Sequence, residues 1–479
     1  RAADSGDHAG TAVKEARDDA QEPRDDWFAS IFAAIRGALA FLSGLLASVF
    51  AVLGGMRGDS QQQDRPVRIV QQSGAPPVDA QSDAPVYSLG PFPGCTEASN
   101  LRAPGRRFTI VTTAALPWRT GPAGNALLRG LHLARKGCPV VLRLPWVEPQ
   151  DQEMVFGHTE TFPDQQTQER YIRQWCKQRA GVDLRKVPLQ IRWYEATYVE
   201  AVRSIFPSGD ISTDLGPDED DVLILEEPEH LCWYHAGRRW PELFRHVVGV
   251  VHTNYQVYLA DLGYDGLLSN PSLRDSLLLS FTSLVCSAYC DVTVKLSPAG
   301  VSFPNDVIGN VNGVRKEFLD IGDRQARRRE DGGAVVYFLG KAVFPKGWSE
   351  LLSLLESAGG RCADISISAY GSGPDWDKIA ERAAALRQGE LASIEVSQEV
   401  DHADECLRRY AIFANPSTSE ILCTVTAEAI AMRKRVVLPS HPSNRFFLDS
   451  FADRCHAFEA GDAAGFEAAL RAAAAAGPA

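Results

Sequence analysis

Glu420 and Glu428 have seven residues between them in the run Pro416-Ser417-Thr418-Ser419-Glu420-Ile421-Leu422-Cys423-Thr424-Val425-Thr426-Ala427-Glu428-Ala429. The backbone N–H groups of Leu422, Cys423 and Thr424 fall between the two carboxylates. The first glutamate reads as a loop residue, the second as part of a helix that begins on small residues. A helix N-terminus favours a diphosphate, and carboxylates accept hydrogen bonds from sugar and ribose hydroxyls. The segment can therefore hold one end of a nucleotide sugar. The spacing alone is not specific, because a solvated loop glutamate beside an ordinary helical glutamate gives the same pattern. The weight falls on the context.

Four further polar or glycine-rich loops follow β-type runs: Thr120–Asn125 (Thr-Gly121-Pro-Ala-Gly-Asn), His252-Thr253-Asn254-Tyr255, Gly340-Lys341-Ala342-Val343-Phe344-Pro345-Lys346-Gly347, and Gly371-Ser372-Gly373-Pro374. Loops after parallel strands are where α/β folds bind ligands. Breaking a glycosyl phosphate bond builds negative charge on the leaving diphosphate. Lys341 and Lys346 can neutralise it with the help of helix-terminal amides. Glycines let the backbone approach phosphates closely, and a histidine such as His252 can hydrogen-bond a sugar or a phosphate oxygen. Each piece also has a plainer reading. The lysines can be solvated loop charges, His252 a structural histidine, and Gly371 and Gly373 the shapers of a turn.

The elements that must carry these loops alternate. Strands are expected at Phe108–Thr113, Val140–Leu144, Leu189–Trp193, Asp221–Leu225, His246–Val251, Val292–Lys295 and Val307–Asn312, with helices at about 123–136, 165–180 and 271–288. A charged break at Gly322–Gly333 separates a second alternation. Its strands are Ala334–Leu339, Ile365–Tyr370, Ser393–Val396, Ala411–Ala414 and Arg435–Leu438; its helices are Trp348–Glu356, Asp375–Leu386 and Ala463–Ala475. Apolar strands alternating with helices predict parallel, doubly wound sheets, hence an α/β fold in two halves. The expected domains are an extension over 1–104, an N-terminal Rossmann-like domain over 105–325 and a C-terminal one over 326–479.

The extension differs in character. Residues 1–26 are polar and acid-rich, which speaks against a transit peptide. Residues 27–56 are apolar, with nineteen uncharged residues from Gly37 to Gly55, close to the minimum for a bilayer span. Trp27 and Arg36 suit an interface, so membrane association is expected, either spanning or interfacial. Residues 57–104, rich in Gln, Pro, Ser and Asp, read as a linker. A net charge of −12 argues against bulk nucleic-acid binding. The ten cysteines are scattered and lack a Cys-x-x-Cys pair, which points to a reducing compartment.

The loops in this order resemble glycosyltransferase family 4, whose GT-B fold has two facing Rossmann-like domains. The runs VTTAALPWRTG, VLRLPW, YIRQW, LEEPEHLCWYHAGRRW, VVGVVHTNY, DHAD, NPSTSE and AEAIAM are similar to those of plant and algal digalactosyldiacylglycerol synthases, from about Phe108 to Phe458. The resemblance implies transfer of galactose from UDP-galactose to monogalactosyldiacylglycerol with retained configuration. It also implies no metal cofactor and a place at the chloroplast outer envelope membrane. By position it makes His252 and Glu420 catalytic, His252 beside the transferring galactose and Glu420 on the donor sugar. Lys341 and Lys346 then bind the diphosphate, Glu428 the ribose, and Gly121 belongs to the loop closing over the donor. Gly340, Gly371, Gly373, Leu422, Cys423 and Thr424 complete the donor site. The family commonly has Arg where this chain has Lys341, which keeps the charge but gives up bidentate contact. The family's final helix, which crosses back to the first domain, is not recognisable after Ala460.

The lipid acceptor is then expected on the N-terminal half. Glu229 or His230, after a strand, can position its hydroxyl, a structural ion pair being the alternative. Arg238, Arg239 and Trp240, with Trp233 and Tyr234, form a basic-aromatic cluster suited to a membrane surface, core packing being the alternative. Two rival functions remain open at this stage: a family 4 transferase with another donor or acceptor, and a membrane tether with a vestigial site.

Overall fold

The computed structural model describes residues 100–118, 120–157, 160–199, 204–233, 235, 237–253, 271–299, 302–327 and 336–477. The apolar segment 27–56 and its linker, together with Tyr234, Asn254 and Tyr255, lie outside the described residues.

In chain order the elements are β1 (Phe108–Thr112), α1 (Gly121–Arg135), β2 (Val140–Val147), α2 (Pro149–Phe156), α3 (Gln165–Arg179), β3 (Leu189–Val199), β4 (Ser204–Pro207), β5 (Val222–Glu226), α4 (Pro228–Trp233), α5 (Trp240–Leu243), β6 (His246–Val251), α6 (Pro271–Tyr289), β7 (Val292–Lys295), β8 (Asp306–Ile308) and α7 (Lys316–Arg327). They continue as β9 (Val336–Leu339), α8 (Trp348–Ser357), β10 (Cys362–Tyr370), α9 (Trp376–Gln388), β11 (Ala392–Ser397), β12 (Ile412–Ala414), α10 (Thr424–Ala431), β13 (Arg435–Pro439), α11 (Arg445–Ser450), β14 (Cys455–Phe458) and α12 (Ala463–Ala475).

Two sheets result. The first has the order β4-β3-β2-β1-β5-β6-β7-β8 and the second β11-β10-β9-β12-β13-β14. β1 and β5 are buried at every position because helices cover both faces, so they read as unbroken apolar runs. Ile110, Leu142, Ala126 and Leu127 belong to one packed cluster, which also takes in Tyr337, Phe413 and Val436 of the second sheet, and Val111, Leu223, Leu225 and Trp240 to another. In each sheet the strand order reverses at the centre, between β1 and β5 and between β9 and β12. Those two switch points are where a doubly wound sheet opens a crevice at the carboxyl ends of its strands.

The first sheet departs from the expected all-parallel arrangement at its edge. β3 runs on to Val199 and pairs antiparallel with β4, because the link between them is too short for a crossover helix. β14 was not legible: its positions are mostly half-exposed, as suits a short edge strand. β8 stops at Ile308 instead of running to 312, where Asn310 Oδ1 accepts from the Asn312 amide at 3.1 Å and turns the chain. The charged stretch expected to break at Gly322 is instead helical to Arg327. Phe318 and Ile321 on α7 pack with Ala403 and Met432 of the second lobe. Gly322 permits this, since a Cβ there would stand 2.4 Å from the Ala431 carbonyl oxygen.

Next to this crossing, Arg179 of α3 meets Asp401 at 2.5 Å and Glu317 at 3.7 Å. The alanine-rich α12 packs on β13 and β14 of the second lobe through Phe466, Ala469, Leu470 and Ala473, and Asp462 caps it by accepting from Ala464 N at 3.0 Å.

Candidate functional site

At the first switch point, Glu226 is the last residue of β5 and pairs in register with Thr112 of β1. Its carboxyl is fully buried. His252, just past β6, places Nε2 2.5 Å from Glu226 Oε2. Arg129 of α1 donates from Nε to Glu226 Oε1 at 2.6 Å. Burial alone would raise this carboxyl, but the Arg129 charge and the His252 hydrogen bond outweigh it and hold it down at about 2. Glu226 is thus an anion in a dry setting, which two donors make tolerable. The same Arg129 donates to the Val311 carbonyl at 3.0 Å and to Asn312 Oδ1 at 3.2 Å, on the segment that leads to α7.

Glu227 follows in the left-handed region, with φ of 68°. Such a backbone is uncommon for a non-glycine residue and needs external support. Glu227 accepts from Thr113 Oγ1 at 2.5 Å and from Thr253 Oγ1, so it ties the ends of β1, β5 and β6 together.

At the second switch point, the loop after β9 and the loop after β12 meet. Lys346 Nζ lies 3.1 Å from Glu420 Oε1. Ser419 Oγ donates to the Pro345 carbonyl, a second tie between the loops. Trp348 Nε1 donates to the Lys341 carbonyl at 3.0 Å and so shapes the turn on which the exposed Lys341 stands. Gly371 is required beside it: a Cβ there would come within 2.2 Å of the Gly340 carbonyl oxygen. Gly373 lies against Ala342 in the same way, at 2.6 Å.

Cys423 precedes α10 as its N-cap, and the amide N–H groups of Leu422, Cys423 and Thr424 have no acceptor among the described residues. These are the groups that a helix start leaves open for an anion. Burial pushes the Cys423 thiol up to about 12, so it is a neutral packing residue and not a nucleophile at physiological pH. Glu428, one turn into α10, accepts from or pairs with His402 Nδ1 at 2.6 Å. Burial favours a neutral His402 ring, but Glu428 outweighs it and raises the His402 pKa. Beneath the loop, Glu350 of α8 accepts from Thr418 Oγ1 at 3.3 Å, and burial raises its carboxyl.

The structure brings Lys346 together with Glu420, and Gly340 together with Gly371 and Lys341. It sets His252 at the first switch point and the donor-type loops at the second, while Gly121 opens α1 after β1. The residues expected for the acceptor are placed otherwise. Glu229 and His230 are each 1% exposed, and Trp240 is fully buried. His230 Nε2 bonds the Ile205 carbonyl at 2.7 Å, so this histidine ties α4 to β4. Both Glu229 oxygens lack a hydrogen-bond partner among the described residues, and burial together with Glu227 raises its carboxyl well above the usual range. Trp240 stacks on His235 with centroids 4.6 Å apart, which is core packing. Arg238 and Arg239 are exposed, Arg238 lying 3.8 Å from Glu242 and Arg239 donating to the Ala288 carbonyl at 2.7 Å. The physical reason is the turn into α4, which carries residues 229–232 back onto the sheet and leaves Glu226 and Glu227 at its end.

Sequence reasoning missed Arg129, Glu226, Glu227, Glu350 and His402 as partners. Glu226 and Glu227 stood in the quoted run LEEPEH and His402 in DHAD, but which member of each run faces the switch point depends on strand register.

Two doubly wound lobes with chemistry at both switch points define the GT-B class. A family profile described as glycosyl transferases group 1 matches residues 333–475. Digalactosyldiacylglycerol synthase 2, chloroplastic, of Arabidopsis thaliana is 38% identical over 347 residues, covering 71% of this chain and 71% of that protein. Digalactosyldiacylglycerol synthase 1, chloroplastic, of Lotus japonicus is 42% identical over 349 residues, 71% of this chain. The chain spans 42% of the length of that longer relative. Among solved structures, sucrose-phosphate synthase from Thermosynechococcus elongatus is 12% identical with a TM-score of 0.48, covering 77% of this chain and 89% of that one. The chain belongs to the digalactosyldiacylglycerol synthase family.

Proposed function

We propose that this chain transfers galactose from UDP-galactose to monogalactosyldiacylglycerol with retention of configuration. The carrying observation is the meeting of Lys346 and Glu420 at the second switch point, in a chain whose relatives bear the synthase name. In this reading residues 326–479 hold the donor and residues 105–325 the lipid acceptor. Lys341, Lys346 and the amides of Leu422–Thr424 take the diphosphate and stabilise its charge as the glycosyl bond breaks. Glu428 accepts from the ribose hydroxyls, and Glu420 from those of the galactose. His252 works from the first lobe on the transferring sugar. Positive charge comes from lysines and amides, so no metal is needed. The acceptor is a membrane lipid, which puts the chain at a membrane surface, the plastid outer envelope.

The test is incubation of the purified chain with labelled UDP-galactose and dispersed monogalactosyl lipid, with and without EDTA. A digalactosyl lipid of retained configuration, formed equally with the chelator, is the expected product. Transfer only from another nucleotide sugar, or only to a soluble acceptor, moves the chain to a different family 4 activity. Abolition by EDTA overturns the metal-free part.

A further inference from the structure

We propose that Glu226 is a positioning residue for His252: it fixes the imidazole with its proton on Nε2 and leaves Nδ1 as the ring atom that meets the donor sugar. Arg129 holds that carboxylate and keys it to the interlobe crossing at residues 311–312. The proposal rests on the functional reading above for the word donor; the Glu226–His252 relation itself stands on geometry.

A fully buried carboxylate at the end of the run Val-Leu-Ile-Leu-Glu is expensive, and an apolar residue would serve the sheet better. The charge is retained where both of its oxygens are used, one by Arg129 Nε at 2.6 Å and the other by His252 Nε2 at 2.5 Å. An ionised carboxylate can only accept, so Nε2 must carry the hydrogen. Nδ1 has no hydrogen-bond partner among the described residues. In the neutral ring it is therefore the acceptor, and in the charged ring a second donor.

The guanidinium adds a second link. Its terminal nitrogens donate to the Val311 carbonyl at 3.0 Å and to Asn312 Oδ1 at 3.2 Å, Nη2 also reaching Glu226 Oε2 at 3.5 Å. These residues lie between β8 and α7, and α7 packs on the second lobe. One rigid fork thus joins the histidine of the first lobe to the strap that carries the second. A lysine could hold the carboxylate but could not reproduce this two-way contact.

Glu226→Gln tests the proton. With Arg129 still donating to the amide oxygen, the amide NH2 is left facing Nε2 and forces the hydrogen onto Nδ1. In serine hydrolases a comparable forced tautomer costs on the order of 10⁴ in turnover. Here kcat is expected to fall by about 10²-fold or more, while KM for UDP-galactose and the calorimetric affinity for UDP stay within about threefold, being set at the second switch point. Arg129→Lys is expected to keep the tautomer and lose part of kcat.

The direct measurement is ¹⁵N NMR of histidine-labelled chain, with His252 assigned by its loss in His252→Gln, on the neutral limb of the ring titration. The wild type is expected to show Nε2–H and Glu226→Gln to show Nδ1–H. Nδ1–H in the wild type overturns the proposal without any variant having to fold. An unchanged tautomer in folded Glu226→Gln, a kcat equal to wild type, or a loss confined to KM also overturns it. A wild-type chain that shows the expected tautomers but transfers no galactose sinks the functional reading and leaves the Glu226–His252 relation supported.

Discussion

Lys346 Nζ lies 3.1 Å from Glu420 Oε1 and joins the loop after β9 to the loop after β12. Their side chains are 30% and 20% exposed, so the pair is wet enough to exchange partners. A bound diphosphate offers Lys346 a competing anion and frees Glu420 for sugar hydroxyls. The ion pair keeps both groups placed before the donor arrives.

Lys346→Ala should separate binding from folding. A partly exposed ion pair is worth up to about 1 kcal/mol of stability, so the melting temperature should move little. A hydrogen bond to a charged group is worth roughly 1.5–3 kcal/mol, so UDP affinity should fall about 10- to 150-fold. Calorimetry with UDP alone checks this. Lys341→Ala, at an exposed lysine of the same loop, should weaken UDP less. Unchanged affinity in both variants removes this loop from the donor site.

Glu420→Gln keeps the shape of the side chain and removes its charge. The amide accepts more weakly than the carboxylate and no longer pairs with Lys346. Transfer should drop by about tenfold for each 1.4 kcal/mol of lost transition-state stabilisation, with UDP binding equal to wild type or tighter. Wild-type kcat in a folded variant excludes Glu420 from the reaction.

The fold was legible in the apolar runs. β6, β7 and α12 fall where their residues predict, because buried parallel strands and a capped alanine-rich helix carry strong local signals. Edge strands β4 and β14 do not, since half-exposed strands lack an unbroken apolar pattern. In the site, Lys346 and Glu420 were legible because their loops have a recognisable order. Glu226 was not. Nothing local distinguishes Glu226 from Glu229 in LEEPEH; the Thr112–Glu226 register and the turn into α4 decide it. Trp240 likewise reads equally as an interface or a core residue until its neighbour His235 is known.

Glu229→Leu should stabilise the chain. The buried carboxyl has no partner among the described residues, and each unsatisfied buried polar group costs about 1–3 kcal/mol. Its raised pKa, from burial and then Glu227, means that the folded state holds a proton that the unfolded state releases. Wild-type stability should therefore fall as pH rises above the ordinary glutamate value of about 4.5, and the variant's advantage should widen. Thermal melts of both proteins across pH measure this. A less stable variant, or an advantage independent of pH, contradicts the burial account. Loss of transfer in a stabilised variant restores Glu229 as an acceptor residue.

His402 Nδ1 lies 2.6 Å from Glu428 Oε2, one turn into α10. Burial lowers the His402 pKa, Glu428 and Asp401 raise it, and Arg315 lowers it, with a net upward shift. A raised folded pKa means that the ion pair contributes fully below the unfolded histidine value of about 6.5. The contribution is lost as pH rises through the raised folded value. The ring is 41% exposed, so solvent screens the pair and the stability at stake is modest, up to about 1 kcal/mol. His402→Gln should therefore cost stability near pH 6 and less at a pH well above the ordinary histidine value. If Glu428 receives the ribose, the variant should also weaken UDP more than it weakens free phosphate, since only UDP carries the ribose hydroxyls. Melting temperatures and UDP titrations at the two pH values check both parts. A stability loss that grows with pH would reverse the sign assigned to the pair. Equal weakening of UDP and phosphate would show that His402 acts on the diphosphate and not through Glu428.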